Sequence, residues 1–243
     1  MDNDKIKIYD TPEIAAIALS EELMNLSNKN GKDFFLSISG GNTPKILFNK
    51  LVEPPYNNGI NWNSTQIFWC DERCVPPDSS ESNFGMTKKY LLDHIPIPKE
   101  NIHRIKGEID SSKEAVNYAE YLEKVLCKGN NCIPEFDWIL LGLGEDGHTA
   151  SLFPDKKFLF LYSNIVCVTK HPVTGQKRIS LTKEVINNAK KVTFFVTGKE
   201  KSKIISEIIF GLPISKNYPA SEIKPAKCKV EWIIDKKAAF YLM

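Results

Sequence analysis

The sequence predicts an α/β fold: an open, mainly parallel twisted sheet with helices on both faces. Three observations predict it. Helical and extended patterns alternate along the 243 residues, as a sheet layered by helices requires. The extended segments include short, continuously apolar runs, the mark of strands covered on both faces. Three runs end in loops rich in glycine or charge, and open α/β sheets place their ligands at such strand ends.

Each element has its own signal. Pro12 to Leu26 repeats apolar residues at spacings of 3 and 4 (Ile14, Ala15, Ala18, Leu19, Leu23), with Thr11 as N-cap and Pro12 at the first helical position. Phe34 to Ile38 reads as a strand. Pro44 to Leu51 follows as a helix, with Thr43 as its N-cap. Gln66 to Cys70 is a strand, Phe84 to Leu92 a helix, and Ser112 to Leu126 a longer helix with Ala115, Ala119, Leu122, Val125 and Leu126 on its apolar side. The strand Phe136 to Leu141 comes next; Asp137 lies at its start, where a carboxylate caps or pairs. Strands at Ile165 to Thr169, Arg178 to Leu181 and Val192 to Val196 precede a helix from Lys199 to Phe210 and a last strand, Val230 to Ile234. The Pro- and Asn-rich stretch Glu53 to Ser64 reads as a surface connection. Without repeats or a linker, residues 1–243 are expected to form a single α/β domain.

Composition narrows the function classes. The 32 basic and 30 acidic residues nearly cancel, so no global field argues for nucleic acid or a membrane as partner. The N-terminal Met-Asp-Asn-Asp-Lys lacks the regions of a signal peptide, and no apolar run reaches membrane-span length, so a cytoplasmic protein is expected. Six cysteines without a secretion signal read as reduced thiols. Cys70 with Cys74, and Cys127 with Cys132, have spacings that suggest zinc. No histidine lies at finger-like distance from either pair, so no metal is assigned.

The segment FDWILLGLGEDGHTASLFP, from Phe136 to Pro154, is the most informative. An apolar strand stops at a turn of Gly142, Gly144 and Gly147 that carries Asp146 and His148. The glycines also spell G-x-G-x-x-G. A dinucleotide turn needs a helix after the third glycine and an acidic residue at the end of the next strand. Pro154 comes soon after Gly147 and the next strand runs into Lys170, so that reading is set aside. Ser39-Gly40-Gly41-Asn42-Thr43-Pro44 follows a strand and opens a helix, which suits a phosphate cradle: glycines permit close approach, Asn42 and Thr43 donate, and helix amides attract anions. An ordinary strand-to-helix turn capped by Thr43 is compatible with the same residues. Asp71-Glu72-Arg73 also follows a strand. Arg73 there can grip a phosphate or an oxyanion through paired donors, or be a solvated charge or salt-bridge partner. His94, His103 and His171 read as structural or solvated histidines.

Together the three loops resemble the 6-phosphogluconolactonase family, which is grouped with the glucosamine-6-phosphate isomerases. The matching segments are SGGNTP at 39–44, Asp71 to Arg73 followed by Ser82 and Asn83, and GLGEDGHTASLFP at 142–154. Arg178 before Ile-Ser-Leu-Thr, Gly198 with Lys201, and Pro219-Ala220-Ser221 also fit. The deaminase branch has a glutamate just before the proline that ends this segment and usually a tyrosine after Asp-Glu. Here the residues are Phe153 and Arg73, which favours lactone hydrolysis.

The resemblance implies a Rossmann-like, sugar-phosphate-isomerase-like fold and a cofactor-free hydrolysis of 6-phospho-D-glucono-1,5-lactone, the second step of the oxidative pentose phosphate pathway. It implies His148 as base on water, with Asp146 orienting it or bonding sugar hydroxyls. It implies Arg73 at the phosphate or the lactone oxygens, and Gly40, Gly41, Asn42, Thr43, Arg178 and Lys201 around the sugar phosphate. Each cation has a plainer reading, as a strand-surface charge for Arg178 and a first-turn residue for Lys201. Asn42 stands where serine is frequent. Phe158 to Asn164 is unusually apolar and reads as core. The runner-up activity is deamination or isomerisation of a hexose 6-phosphate. A non-catalytic sugar-phosphate sensor would carry a DNA-binding helix-turn-helix, which the short segment before the first helix does not supply. The partner is thus a small sugar-phosphate lactone, and the oligomeric state is left open.

Overall fold

The computed structural model describes residues 5–29, 31–127, 129, 132–155, 160–161 and 165–243. Seven strands form a wholly parallel sheet: β1 (Lys5–Tyr9), β2 (Phe34–Ile38), β3 (Thr65–Trp69), β5 (Ile102–His103), β6 (Trp138–Leu141), β10 (Val192–Val196) and β11 (Glu231–Asp235), in the order β1-β11-β10-β6-β2-β3-β5. The helices that flank it are α1 (Pro12–Ser27), α2 (Asn42–Leu51), α3 (Tyr56–Gly59), α4 (Asn83–Tyr90), α5 (Ser111–Leu126), α6 (Lys183–Asn188) and α7 (Ser202–Ile209). The expected fold class is the observed one. Among the described residues no helix is long and apolar enough to cross a membrane.

Local signals account for most of these elements. The Thr11 hydroxyl accepts from the Ile14 N–H at 3.3 Å and Pro12 takes the first position of α1. Ala15, Ala16, Leu19 and Leu23 form its buried stripe. Ser82 caps α4 by accepting from Gly85 N–H. The central strands are apolar because both faces are covered: Trp138, Ile139, Phe194, Trp232 and Ile234 are at most 1% exposed. Phe194 and Trp232 stack at 4.3 Å between ring centres. Asp137 pairs as expected, accepting from Phe35 N–H at 2.8 Å and from Lys190 at 2.7 Å.

Several expectations are corrected. Helix α2 starts at Asn42, so Thr43 is not its N-cap: Gly41 adopts φ 113°, which turns the chain early, and no side chain caps the helix. Asp71 to Arg73 is not a loop but a strand, β4 (Asp71–Arg73). It joins β7 (Phe160–Leu161), β8 (Val166–Lys170) and β9 (Lys177–Leu181) in a second, antiparallel sheet of order β4-β9-β8-β7. The connection 171–176 is too short for a parallel crossover, which needs a dozen residues or more. Lys199–Lys201 is a 3-10 turn, and α7 proper begins at Ser202.

Strand β1 escaped the sequence reading because its lysines and isoleucines alternate on an exposed edge, where charge guards against further pairing. Cys127 and Cys132 are bonded rather than reduced: Cys127 leaves the end of α5 in extended conformation, and the two Cα atoms lie 5.8 Å apart, within bridging distance. The other four cysteines are free thiols. The apolar stretch Phe158 to Asn164, read as core, lies outside the described residues except for the backbone of Phe160 and Leu161.

His103, on the edge strand β5, is structural. Its Nε2 donates to Gln66 Oε1 at 2.7 Å, its Nδ1 accepts from the Tyr121 hydroxyl at 2.6 Å, and its ring stacks on Phe68. Burial lowers its pKa to about 4. The folded state therefore refuses a proton that the unfolded chain takes near pH 6.5, so the stability His103 contributes is complete above that pH and is lost as pH falls towards 4. Allowing for its partial exposure, the loss is about 2 kcal/mol. Urea melts at pH 7, 6 and 5 are expected to show this decline in the wild type and a shallower one in His103→Gln. Parallel declines would assign the acid sensitivity to other groups.

Candidate active site

Strands β10, β6 and β2 are adjacent at the centre of the parallel sheet, and their carboxyl ends open into one cleft of about 520 Å³. From β2 the chain proceeds towards β3, whereas β10 is followed by β11 on the other side, so the cleft sits at a topological switch point. The cleft is lined by residues 39–44 after β2, by 142–145 and His148 after β6, and by Thr197, Gly198, Glu200 and Lys201 after β10. The second sheet closes it with Asp71, Arg73 and Arg178. Every site residue expected from the sequence except Asp146 lines this space, and Asp146 touches it through His148.

The glycine loop is tied down on both flanks. Ser39 donates its hydroxyl to Leu140 O at 3.1 Å, and Thr43 shares a hydrogen bond of 3.1 Å with Thr197 beyond β10. The first amides of α2 thus have no side-chain cap, which leaves a positive helix end for an anion. Asn42 accepts from Lys45 at 3.1 Å, so the longer amide side chain is held by its own helix.

The turn after β6 brings Asp146 and His148 into contact, a pairing the sequence leaves open. Asp146 Oδ1 lies 2.6 Å from His148 Nδ1 and 3.1 Å from the His148 N–H. Burial pushes the Asp146 carboxyl up, and the hydrogen bonds and charge of His148 outweigh it, so the group titrates below its ordinary value. An ionised carboxylate accepts only, so Nδ1 carries the proton, and in the neutral imidazole the lone pair is then on Nε2. Gly144 makes room for the pair, since a Cβ there would fall 2.1 Å from His148 Nδ1. No helix follows Gly147 through residue 155, as the dinucleotide reading would require. Phe153, buried, packs against the histidine ring at 5.0 Å between centres, giving it an apolar wall.

Opposite this pair, Arg73 and Arg178 face each other across the β4–β9 ladder and share one face of that sheet. Arg73 donates from Nη1 to Glu81 O at 2.6 Å. The Nε atoms of both arginines are buried without a hydrogen-bond partner. Burial lowers the pKa of Arg178, and the neighbouring Arg73 lowers it further. Two like charges with unused donors in one cleft are the complement of an anion. Lys201 adds a third cation, 3.7 Å from Glu145.

The sequence reading missed residues that build this site from afar. Asp71 accepts from the Ser151 hydroxyl at 2.6 Å and lines the cleft. Tyr218 packs its ring where a Cβ of Gly147 would lie, and Ala220 N–H donates to Gly147 O at 3.1 Å, which fixes the turn that carries His148 from the Pro219-Ala220-Ser221 segment. Asp71 and Ala220 lie inside matching segments that assign them no role, and Tyr218 lies just outside one. His94 and His171 bond to nearby backbone groups, as structural histidines do. Among the described residues no cluster of three His, Cys, Asp or Glu side chains is arranged to hold a metal.

Known proteins resemble this chain over most of its length. The family model described as glucosamine-6-phosphate isomerases/6-phosphogluconolactonase matches residues 11–232. A 6-phosphogluconolactonase of Haemophilus influenzae is 43% identical over 230 residues, covering 95% of this chain and 96% of that one. The solved 6-phosphogluconolactonase of Thermotoga maritima superposes with a TM-score of 0.80 at 27% identity, covering 96% and 100% of the two chains. A solved monomeric glucosamine-6-phosphate deaminase reaches the same TM-score at 18% identity over 97% and 99%, a likeness of fold alone. The match over residues 11–232 and the 43% identical relative covered over nearly its whole length show that the chain belongs to the glucosamine-6-phosphate isomerase/6-phosphogluconolactonase family.

Proposed function

We propose that the protein hydrolyses 6-phospho-D-glucono-1,5-lactone to 6-phospho-D-gluconate, the second step of the oxidative pentose phosphate pathway. The observation that carries this reading is a His148–Asp146 pair in one cleft with two arginines whose buried Nε donors have no partner. The amides of α2, Arg73, Arg178 and Lys201 hold the phosphate and the lactone oxygens. His148 Nε2 takes a proton from water as its oxygen bonds to the lactone carbonyl carbon, and the negative charge that forms on the carbonyl oxygen is met by a guanidinium. Collapse of this intermediate breaks the bond to the ring oxygen, which takes the proton back from the imidazolium. Asp146 keeps Nδ1 protonated throughout. Phe153 supports hydrolysis over deamination, because it sets an apolar ring beside His148 where ring opening of an amino sugar calls for an acid.

The lactone also hydrolyses spontaneously, so the test is comparative. Lactone generated by glucose-6-phosphate dehydrogenase should disappear faster with the protein than without it, and glucosamine 6-phosphate should release no ammonia. A folded protein that releases ammonia and leaves lactone decay at background would place it in the other branch of the family.

A further inference from the structure

The glycine loop after β2 and the arginines of β4 and β9 belong to different sheets, yet a phosphate held by both requires a set distance between them. One side chain spans that gap. Asn83 is 2% exposed and opens α4. Its Nδ2 donates to Asp71 O at 2.9 Å, on the strand that carries Arg73. Its Oδ1 lies against Gly40, close enough that a Cβ there would fall 1.9 Å from Oδ1 and 2.3 Å from Cγ.

Asn83 is in turn immobilised by Glu72, whose side chain points away from the cleft-facing side of β4. Glu72 Oε1 accepts from Asn83 N–H at 2.7 Å and from Arg73 N–H at 2.7 Å. Its Oε2 accepts from Phe84 N–H at 2.8 Å and from the Ser82 hydroxyl at 3.0 Å. A carboxylate 2% exposed with four donors on it ties the start of α4 to the backbone of Arg73 itself. The Asn83 backbone carbonyl also accepts from Thr87 at 2.8 Å. The main chain of Asn83 is therefore anchored, and its side chain reaches Asp71 and Gly40 from that fixed start.

We propose that Asn83, held by Glu72, is a positioning residue that sets the spacing between the glycine loop and the Arg73–Arg178 pair, and so the grip on the substrate's phosphate. This rests on the lactonase reading only for the identity of the substrate. The grip itself is measurable without turnover, by calorimetric binding of inorganic phosphate and of 6-phosphogluconate.

The test is a double-mutant cycle between Gly40→Ala and Asn83→Ala, with Glu72→Gln and Asn83→Ser as further variants. Gly40→Ala is expected to weaken phosphate binding about tenfold or more, since its methyl must displace Asn83. Asn83→Ala, Asn83→Ser and Glu72→Gln are expected to weaken it severalfold, and to raise KM for the lactone more than they lower kcat. The double variant should bind little worse than Asn83→Ala, because shortening Asn83 removes the two nearest atoms and leaves its Cβ, 3.0 Å from the added methyl, as the remaining tight contact. Additive losses in the cycle, or unchanged phosphate binding in folded Asn83→Ser and Glu72→Gln proteins, would overturn the proposal. Failure of lactone turnover with the cycle still non-additive would instead count against the lactonase reading.

Discussion

His148→Ala is expected to lower kcat on the lactone by about 10²- to 10⁴-fold, the usual contribution of a positioned general base, with KM little changed. The reason is geometric. Nδ1 is committed to Asp146 at 2.6 Å, so Nε2 is the nitrogen available to water. The imidazole is 32% exposed, open enough to reach solvent from a turn fixed by Gly144 and Gly147. Asp146→Asn should lower kcat by a comparable factor, up to about 10⁴-fold: the amide lacks the charge that supports an imidazolium, and with its NH2 turned to Nδ1 it selects the wrong tautomer. Its rate should also fall without a matching rise in KM, as befits a group that acts through the histidine. Steady-state kinetics above the spontaneous rate, with circular dichroism to confirm folding, reads both effects. A His148→Ala protein as fast as wild type would remove His148 from the chemistry.

The second large effect concerns the arginines. Arg73→Ala and Arg178→Ala are each expected to raise KM about 10- to 100-fold, the range for losing hydrogen bonds to a charged group. Neither should lower the melting temperature of the unliganded protein. The two guanidinium groups share a face, burial and Arg73 both depress the Arg178 pKa, and each leaves a buried Nε unsatisfied. Removing one relieves like-charge repulsion and desolvation, so stability is retained or gained while the grip on the anion is lost. A structural arginine would show the opposite pattern, with a lowered melting temperature and an unaltered KM. Arg73→Lys should not restore the grip, since an ammonium lacks the planar fork that reaches Glu81 O and an anion together.

These two expectations differ in how far they could be read in advance. The His148 turn is a local object: an apolar strand, three glycines and a histidine lie within one short stretch of chain. Steric and hydrogen-bonding rules acting over a few residues suffice to place it at a strand end. The capped start of α1 and the buried runs at Phe34 and Val192 were legible for the same reason. The apposition of Arg73 and Arg178 was not, because it depends on the register of β4 against β9, over a hundred residues later in the chain. Neither arginine's surroundings hint at the other.

The same division explains the errors. Thr43 looked like a cap because threonine before proline usually is one. Its hydroxyl instead meets Thr197, and that choice was made by the packing of β10 beside β6. Cys127 and Cys132 read as thiols in a long chain without a secretion signal, yet their Cα atoms lie close enough to be bridged, a proximity that spacing alone does not fix. Strand β1 carried no core signal of its own, because an edge strand is defined by its neighbour and β11 lies at the far end of the sequence.

The α/β class, most strand and helix positions, the loops at 39–44 and 142–154 and the family match follow from the chain alone, through periodicity and backbone freedom at particular residues. The second sheet, which takes up the expected loop at 71–73, the Asp146–His148 contact, the apposed arginines and the Asn83 bridge come from the packed fold. Each of those depends on the spatial relation of groups, either across long chain separations or around a turn whose dihedrals propensity leaves free. Burial then makes them matter, since a charge or donor removed from water must find its complement in the fold or in the ligand.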